Sequence, residues 1–359
     1  MLILGIETSC DETAAAVVED GLDVRSNVVS SQVQLHSGYG GVVPELAARE
    51  HLRNIRPVVE SALVEAGVTI PDIDAVAVTS SPGLVPALLV GLSYGKGLAL
   101  GGSIPLVAVN HFLAHVFSCF LDHPELVTDT SLYPLVALVV SGGHTNLVVI
   151  EADGAVRFVG RTVDDAAGEA FDKGAKIMGL GYPGGPVIDR LAKQGDASVY
   201  RFPHGLMGEG GKPVSEEDRL NFSFSGVKTS LLYRLGEEER SEAELADFAA
   251  SYQAAIVDVL VAKLQIAADK FSAKTLLMCG GVACNSGLRA RAAEASEEAG
   301  RKLLIASPKY CTDNAAMVGG SGYYFLRAGR LAGLKEDAVA RLPETVDAVP
   351  FAPSFDVNA

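Results

Sequence analysis

Two histidines four residues apart, His111 and His115, follow directly on the apolar run at 105–110 (PLVAVN). On a helix, i, i+4 spacing points both imidazoles to one face, where they can share one divalent cation. Two histidines that cap a strand end or hydrogen-bond in a cleft have the same spacing, and the pair alone does not separate the two readings. Position 112 is Phe, where a zinc protease of the HExxH type carries its general-base Glu, so the pair speaks for a metal and against that chemistry. A catalytic metal generally takes a third protein ligand and keeps one position open. Asp313, in CTDN at 311–314 ahead of a helix-like run at 315–328, is the candidate, because loops after strands in α/β sheets point into the ligand crevice. Its competing role is a helix N-cap, which spacing alone favours.

A second set of polar residues sits in short turns. Residues 3–18 (ILGIETSCDETAAAVV) and 135–150 (LVALVVSGGHTNLVVI) both run from an apolar stretch of strand length through a small polar turn into another apolar stretch. Small residues there let a phosphate approach main-chain N–H groups. In the first turn Thr8 and Ser9 offer donors, while Asp11 and Glu12 offer carboxylates for metal-bound water or for a base; an ordinary polar hairpin turn reads the same way. Ser141, Gly142 and Gly143 form the second turn, and a third Gly-Gly follows the run at 275–279, in CGGVACN at 279–285. Each is weak alone, and together they point to anion binding at strand ends. Asp165, Glu169 and Asp172 share a helix face and can accept ribose hydroxyls, unless they form a solvated acidic face. Arg49, Arg53 and Arg56 form a basic stripe suited to RNA, to a partner protein or to carboxylates such as Glu45 and Glu50.

These residues need strands to carry them. Periodicity predicts strands near 2–9, 14–20 and 23–32, a helical insertion at about 44–67, a strand at 75–80, a helix at 86–100 and a strand at 105–110. The hairpin order recurs from residue 135, followed by helices near 167–178, 245–271 and 285–299 and strands near 275–279 and 303–306. The fold class expected is layered α/β with two duplicated lobes facing one nucleotide. The lobes are expected over 1–133 and 134–313, the second with an irregular insertion at about 179–241; a helical segment over 314–341 is expected to pack back on the first lobe, ahead of a tail over 342–359.

Composition agrees with two cores. At 359 residues, 48% hydrophobic and 6% aromatic with no Trp, the chain suits close helix-on-sheet packing. Acidic residues outnumber basic ones 44 to 29, a net charge of −15 and the wrong sign for gripping nucleic acid over the whole surface. Five Cys without paired CxxC spacing indicate neither a disulfide framework nor a Cys-type zinc site, which fits a reducing cytoplasm. The N-terminus has no basic n-region of a signal peptide, and the uncharged stretch at 75–95 is broken by SSPG and Pro86, so no membrane association is expected.

Eight blocks then converge on one family. GIETSCDET at 5–13, NHFLAH at 110–115, VSGGHT at 140–145, DAAGEAFDK at 165–173, YPGGP at 182–186, FSFSG at 222–226, CGGVACN at 279–285 and CTDN at 311–314 resemble, in order, the TsaD (Gcp) family of tRNA threonylcarbamoyladenosine transferases. The resemblance implies two ribonuclease H-like lobes of the actin, Hsp70 and sugar-kinase superfamily with a nucleotide cleft between them. It implies transfer of threonylcarbamoyl from threonylcarbamoyl-AMP to N6 of adenosine 37, in tRNAs reading codons that begin with A. Carried over by motif, His111, His115 and Asp313 would ligate one divalent metal, taken as Fe(2+) with Zn(2+) as the alternative. Val139, Val140, Ser141, Gly142, Gly143, Asp172, Gly185, Asp189 and Asn285 would hold the adenylate. The resemblance does not name the base, and the first turn's own carboxylates make Asp11 or Glu12 the expected one. His144 resembles the bacterial branch, whose expected partners are the TsaB and TsaE proteins beside the tRNA anticodon loop. A small-molecule kinase of the same superfamily is the alternative, and a metalloprotease a weaker one.

Overall fold

The structure, a computed structural model, describes residues 1–208, 214–236, 238–341 and 348–355. It divides into two units, one of Met1–Thr130, Glu151–Val156 and Ala306–Ala359, the other of Ser131–Ile150 and Arg157–Ile305.

The first unit begins with β1 (Leu2–Glu7), β2 (Glu12–Glu19) and β3 (Asp23–Ser31), then α1 (Val33–Ser37), α2 (Pro44–Ala66), β4 (Ala75–Ser81), α3 (Val85–Gly102), β5 (Leu106–Asn110) and α4 (His111–Ser118). The strands lie in the order β3-β2-β1-β4-β5. β1 pairs antiparallel with β2, from Leu2 against Glu19 to Glu7 against Ala14, and parallel with β4. Strands covered on both faces lose the alternation of polar and apolar residues, which is why β1 and β4 read as nearly unbroken apolar runs. One cluster joins Leu4, Ile6 and Val17 of the sheet to Ile55, Val58 and Val59 of α2 and Leu92 of α3.

The second unit holds β6 (Leu135–Val140), β7 (Thr145–Ile150), β8 (Val156–Arg161), α5 (Ala167–Ile177), α6 (Gly184–Ala192), α7 (Ser225–Leu235), α8 (Glu242–Lys270), β9 (Thr275–Cys279), α9 (Ser286–Glu298) and β10 (Lys302–Ile305). Its strand order, β10-β9-β6-β7-β8, is that of the first sheet read from the other edge, with an antiparallel β6–β7 hairpin and parallel β6–β9 and β9–β10 pairs. The duplication is therefore one of topology as well as of motif. α8 is long and apolar enough to cross a membrane, but 72% of its most apolar stretch is buried, which makes it a core helix.

After β10 the chain forms α10 (Pro308–Cys311) and α11 (Ala315–Arg327) within the first unit. α11 lies directly on β1: a Cβ on Gly5 would stand 2.3 Å from the Ala315 carbonyl oxygen and 2.6 Å from the Gly319 nitrogen. Only glycine permits that approach, and it sets the start of α11 over the sheet that carries Glu7.

The sequence expectations need three corrections. The second unit ends at Ile305, so Asp313 belongs to the first unit and not to the lobe expected over 134–313. The stretch at 179–241 is not irregular throughout, since it contains α6 and α7. α7 starts where Asp164 accepts the Phe224 and Ser225 N–H groups at 2.8 and 3.3 Å, and the buried Lys263 of α8 donates to the carbonyls of Leu206, Arg219 and Asp218 at 2.9, 3.0 and 3.3 Å. The third strand of the second sheet, β8, is half-exposed with a mixed pattern, and the expectation omits it. Within the expected tail, Phe351 is buried with its ring 5.3 Å from that of Phe117; residues 342–347 and 356–359 of that tail, like 209–213 and 237 of the insertion, lie outside the described residues.

Candidate functional site

Asn110 at the end of β5 accepts the Leu113 N–H at 3.2 Å and so starts α4 at His111. The i, i+4 spacing then brings the His111 and His115 rings to a centroid separation of 4.6 Å, both buried. At α11 the N-cap is Asn314, whose side chain accepts the Met317 N–H at 3.1 Å. Asp313 is thereby free of the capping role and turns its Oδ1 to 3.0 Å from His115 Nε2 and 3.4 Å from His111 Nε2. One ligand atom from each of His111, His115 and Asp313 lies within 4.8 Å of the others.

Behind His111 stands Glu7, fully buried at the end of β1. Its Oε2 accepts from Thr79 Oγ1 at 2.6 Å and from His111 Nδ1 at 2.9 Å, with Ser9 Oγ 3.2 Å from the same nitrogen. An isolated buried carboxylate is costly, and the imidazole N–H offsets that cost while leaving Nε2 to face Asp313. Burial pushes the His111 imidazolium down, but the Glu7 and Asp313 carboxylates outweigh it and hold the group well above its ordinary range. For Asp313 burial acts upward, and the two histidines overcome it to hold the carboxyl well below the usual range. Burial and the neighbouring His111 charge lower His115, whose Nδ1 is buried without a hydrogen-bond partner.

Two imidazoles and one carboxylate, with a second carboxylate behind a ligating histidine, form the donor set of a divalent cation, and three protein ligands leave positions open. Nearby, Asp11 is buried, and Glu12 accepts from Ser31 Oγ at 3.1 Å. Burial, together with the charges of Asp313 and Asp11, pushes the Glu12 carboxyl up to about 9.

In the second unit the side chains of Val139 and Val140 are buried in β6, so only their main chain can meet a ligand. The turn after them closes through the Ser141 N–H to the His144 carbonyl at 2.8 Å and the His144 N–H to Ser141 Oγ at 3.2 Å, leaving Gly142 and Gly143 exposed. α5 is docked against this turn, with Thr145 Oγ1 accepting the Ala167 N–H at 2.8 Å. A Cβ on Gly168 would fall 2.6 Å from the Ser141 oxygen and 2.7 Å from Gly142 Cα. Asp172 accepts the Gly184 N–H at 2.7 Å, tying α5 to the first turn of α6, where a Cβ on Gly185 would meet only Phe171 Cβ, at 4.0 Å. Asp189 of α6 accepts from the Ser286 N–H and hydroxyl at 3.1 and 2.8 Å, and Asn285 caps α9 through the Leu288 N–H at 2.9 Å while donating to Gln253 at 2.6 Å. Asp172 of α5 thus holds the start of α6 and Asp189 of α6 the start of α9, while Thr145 joins the start of α5 to the glycine turn. Orphan N–H groups at helix starts suit a phosphate.

Other candidates are spoken for. Asp165 pairs with both Lys173 and Lys228, and Glu169 with Lys173 at 3.0 Å. The arginine stripe is balanced on its own helix by Glu45, Glu50 and Glu60 at 2.7, 3.0 and 2.7 Å. The sequence reading missed Glu7 and Thr79, and it read Ser9 as a phosphate donor, whereas its hydroxyl lies 3.2 Å from His111 Nδ1. A charged residue closing an otherwise apolar strand, as Glu7 closes LILGIE, was the available signal.

Comparison with known proteins agrees with this picture. Residues 23–320 match the profile of TsaD, tRNA N6-adenosine threonylcarbamoyltransferase. Proteins described by that activity include one from Geobacter sp. (strain M21), 49% identical with 96% of each chain covered, and one from Pelobacter propionicus, 50% identical with 95% of this chain and 96% of the other covered. Another, from Thermosipho africanus, is 45% identical over 95% of this chain and 99% of its own. Among solved structures, full-length HypF in its phosphate- and nucleotide-bound form aligns with a TM-score of 0.57 at 13% identity, covering 92% of this chain and 56% of that one. Component A of the Acidaminococcus fermentans (R)-2-hydroxyglutaryl-CoA dehydratase aligns at 0.50 and 15%, covering 90% and 98%. At such identities these two speak for the actin-like fold alone. With a matching profile over most of its length and relatives at nearly half identity from end to end, the chain belongs to the TsaD family.

Proposed function

We propose that the protein transfers the threonylcarbamoyl group from threonylcarbamoyl-AMP to N6 of adenosine 37 in tRNAs reading codons that begin with A, releasing AMP. The observation that carries this reading is 45% to 50% identity, over 95% or more of the chain, to proteins described as tRNA N6-adenosine threonylcarbamoyltransferases.

The substrate is already activated, because a carbamoyl-phosphate mixed anhydride has AMP as its leaving group. What remains for the protein is alignment and stabilisation of charge on the carbonyl oxygen and phosphate. His111, His115 and Asp313 would hold a divalent ion, iron with zinc as the alternative, which when bound would supply Lewis-acid polarisation of a carbonyl or phosphoryl oxygen. Glu7 keeps the His111 ring turned so that Nε2 faces Asp313. The exposed main chain of Gly142 and Gly143, in the turn that Ser141 closes after Val139 and Val140, donates to the adenylate phosphate. Asp172 holds the start of α6, where Gly185 sits, and Asp189 and Asn285 hold the start of α9, so these residues shape the rest of the adenylate site.

The exocyclic amine of adenine is a weak nucleophile because its lone pair is conjugated into the purine, so a base must take its proton during or after attack. Asp11 and Glu12, the two carboxyls of the first turn, are the groups assigned to take that proton. Anticodon-loop bases splay outward readily, so adenine can be presented without melting a duplex. A net charge of −15 disfavours tight tRNA binding by this chain alone, and the TsaB and TsaE proteins are the partners the reading assigns in the cytoplasm.

The test is incubation of the purified chain with threonylcarbamoyl-AMP and unmodified tRNA, with and without those partners, followed by nucleoside mass spectrometry. Threonylcarbamoyladenosine that forms with the parent and is lost with His111→Ala is the expected result. Absence of product with partners present would overturn the reading in favour of a kinase or a silent relative of the same fold.

A further inference from the structure

Beneath the turn that carries Asp11 and Glu12 lies a group of buried polar side chains with no part in the chemistry above: Thr13, Gln32, His36 and His51. Their hydrogen bonds have one consistent direction. The Val43 N–H donates to His36 Nδ1 at 3.3 Å, so His36, if neutral, carries its proton on Nε2 and gives it to Gln32 Oε1 at 3.2 Å. That fixes the Gln32 amide, whose Nε2 faces His51 Nδ1 at 3.3 Å and the Ala47 carbonyl at 3.4 Å. Thr13 Oγ1 donates to the same His51 nitrogen at 2.8 Å. His51 Nε2 then carries the proton and donates to the Cys10 carbonyl at 3.0 Å. A carbonyl oxygen only accepts, so no other tautomer of His51 satisfies both ends. The next carbonyl, that of Asp11, accepts the backbone N–H of Gln32 at 3.0 Å.

We propose that this directed chain from Val43 through His36, Gln32 and His51 positions the turn at residues 10–12, and with it the Asp11 and Glu12 carboxyls. The inference rests on the transferase reading for its consequence in catalysis. It also ties the turn to the entry of α2, because Val43 is the residue before the first turn of that helix and His51 lies within it. Buried networks satisfied at every member hold a single geometry, and the loss of one link leaves a buried donor or acceptor unpaired. The four side chains act through the turn, so they are positioning residues.

Two measurements test this on the full chain. Imidazole nitrogen NMR should find His51 neutral and protonated on Nε2, and a proton on Nδ1 would overturn the proposal. His51→Leu removes all three of its hydrogen bonds, whereas His51→Gln keeps an N–H that can reach the Cys10 carbonyl. Expected for His51→Leu is amide exchange about tenfold faster at residues 10–13, the size of one net hydrogen bond, with kcat down by at least as much and KM for tRNA unchanged. His51→Gln should recover most of both. Leucine and glutamine variants that exchange and turn over like the parent, or that fall equally, would overturn it. If the parent itself forms no modified adenosine, the transferase reading fails, while the tautomer and the exchange rates still decide the network.

Discussion

Glu12 gives the sharpest test of the electrostatics at the first turn. Its carboxyl is half-buried near the Asp313 and Asp11 carboxylates and lifted from an ordinary 4.5 to about 9. Below pH 4.5 the folded and unfolded chains both hold the proton. Between there and 9 only the folded chain does, so folding takes up a proton and stability falls as pH rises. Each unit costs about 1.4 kcal/mol, which sets an upper bound of about 3 kcal/mol by pH 7; partial solvent access and relaxation bring the expected figure to about 1–2 kcal/mol. Glu12→Gln keeps the shape and removes the charge. The variant should therefore match the parent near pH 4.5 and become more stable than it toward pH 8, by guanidinium denaturation in the presence of a chelator. Adding a divalent cation should shrink the difference, since a positive charge at Asp313 offsets one of the causes of the shift. A stability difference that does not change with pH, or that favours the parent as pH rises, would refute the assignment of Glu12 as a half-buried acid.

Glu7→Gln retains an acceptor for His111 but loses the charge, and should weaken binding of Zn(2+) or Fe(2+) by about 10–100-fold in a metal titration. In the second unit, Gly168→Ala would press a methyl against the Ser141 and Gly142 backbone, which cannot yield as a flexible side chain would; we expect weaker threonylcarbamoyl-AMP binding by calorimetry with metal content unchanged. Lys263→Met should cost about 2–4 kcal/mol in a denaturant titration and open the chain at Leu206 and at Asp218 and Arg219 to proteolysis, because three carbonyls lose their donor.

The sheets were legible because their central strands are buried on both faces, and the hairpins announced themselves through polar turns between apolar runs. What escaped had competing local signals. α6 begins at Gly184 after Pro183, in a YPGGP run whose residues read as a turn, yet a proline just ahead of a helix is a good start when Asp172 caps the first N–H. Asp313 looked like an N-cap because it precedes a helix; its neighbour Asn314 takes that role, a one-residue distinction that spacing does not make. Sequence distance hid the rest. Glu7 and His111 are 104 residues apart and meet only when β1 and α4 are placed on one sheet, and the four polar residues under the first turn have no spacing that marks them as a group.

Counting AMP against modified nucleoside, in one reaction with labelled threonylcarbamoyl-AMP, unmodified tRNA and partner proteins, bears most directly on the central claim. Transfer predicts one AMP released for each threonylcarbamoyladenosine formed, with both lost in His111→Ala. AMP released without label entering tRNA, or label entering tRNA equally well with His111→Ala, would contradict it.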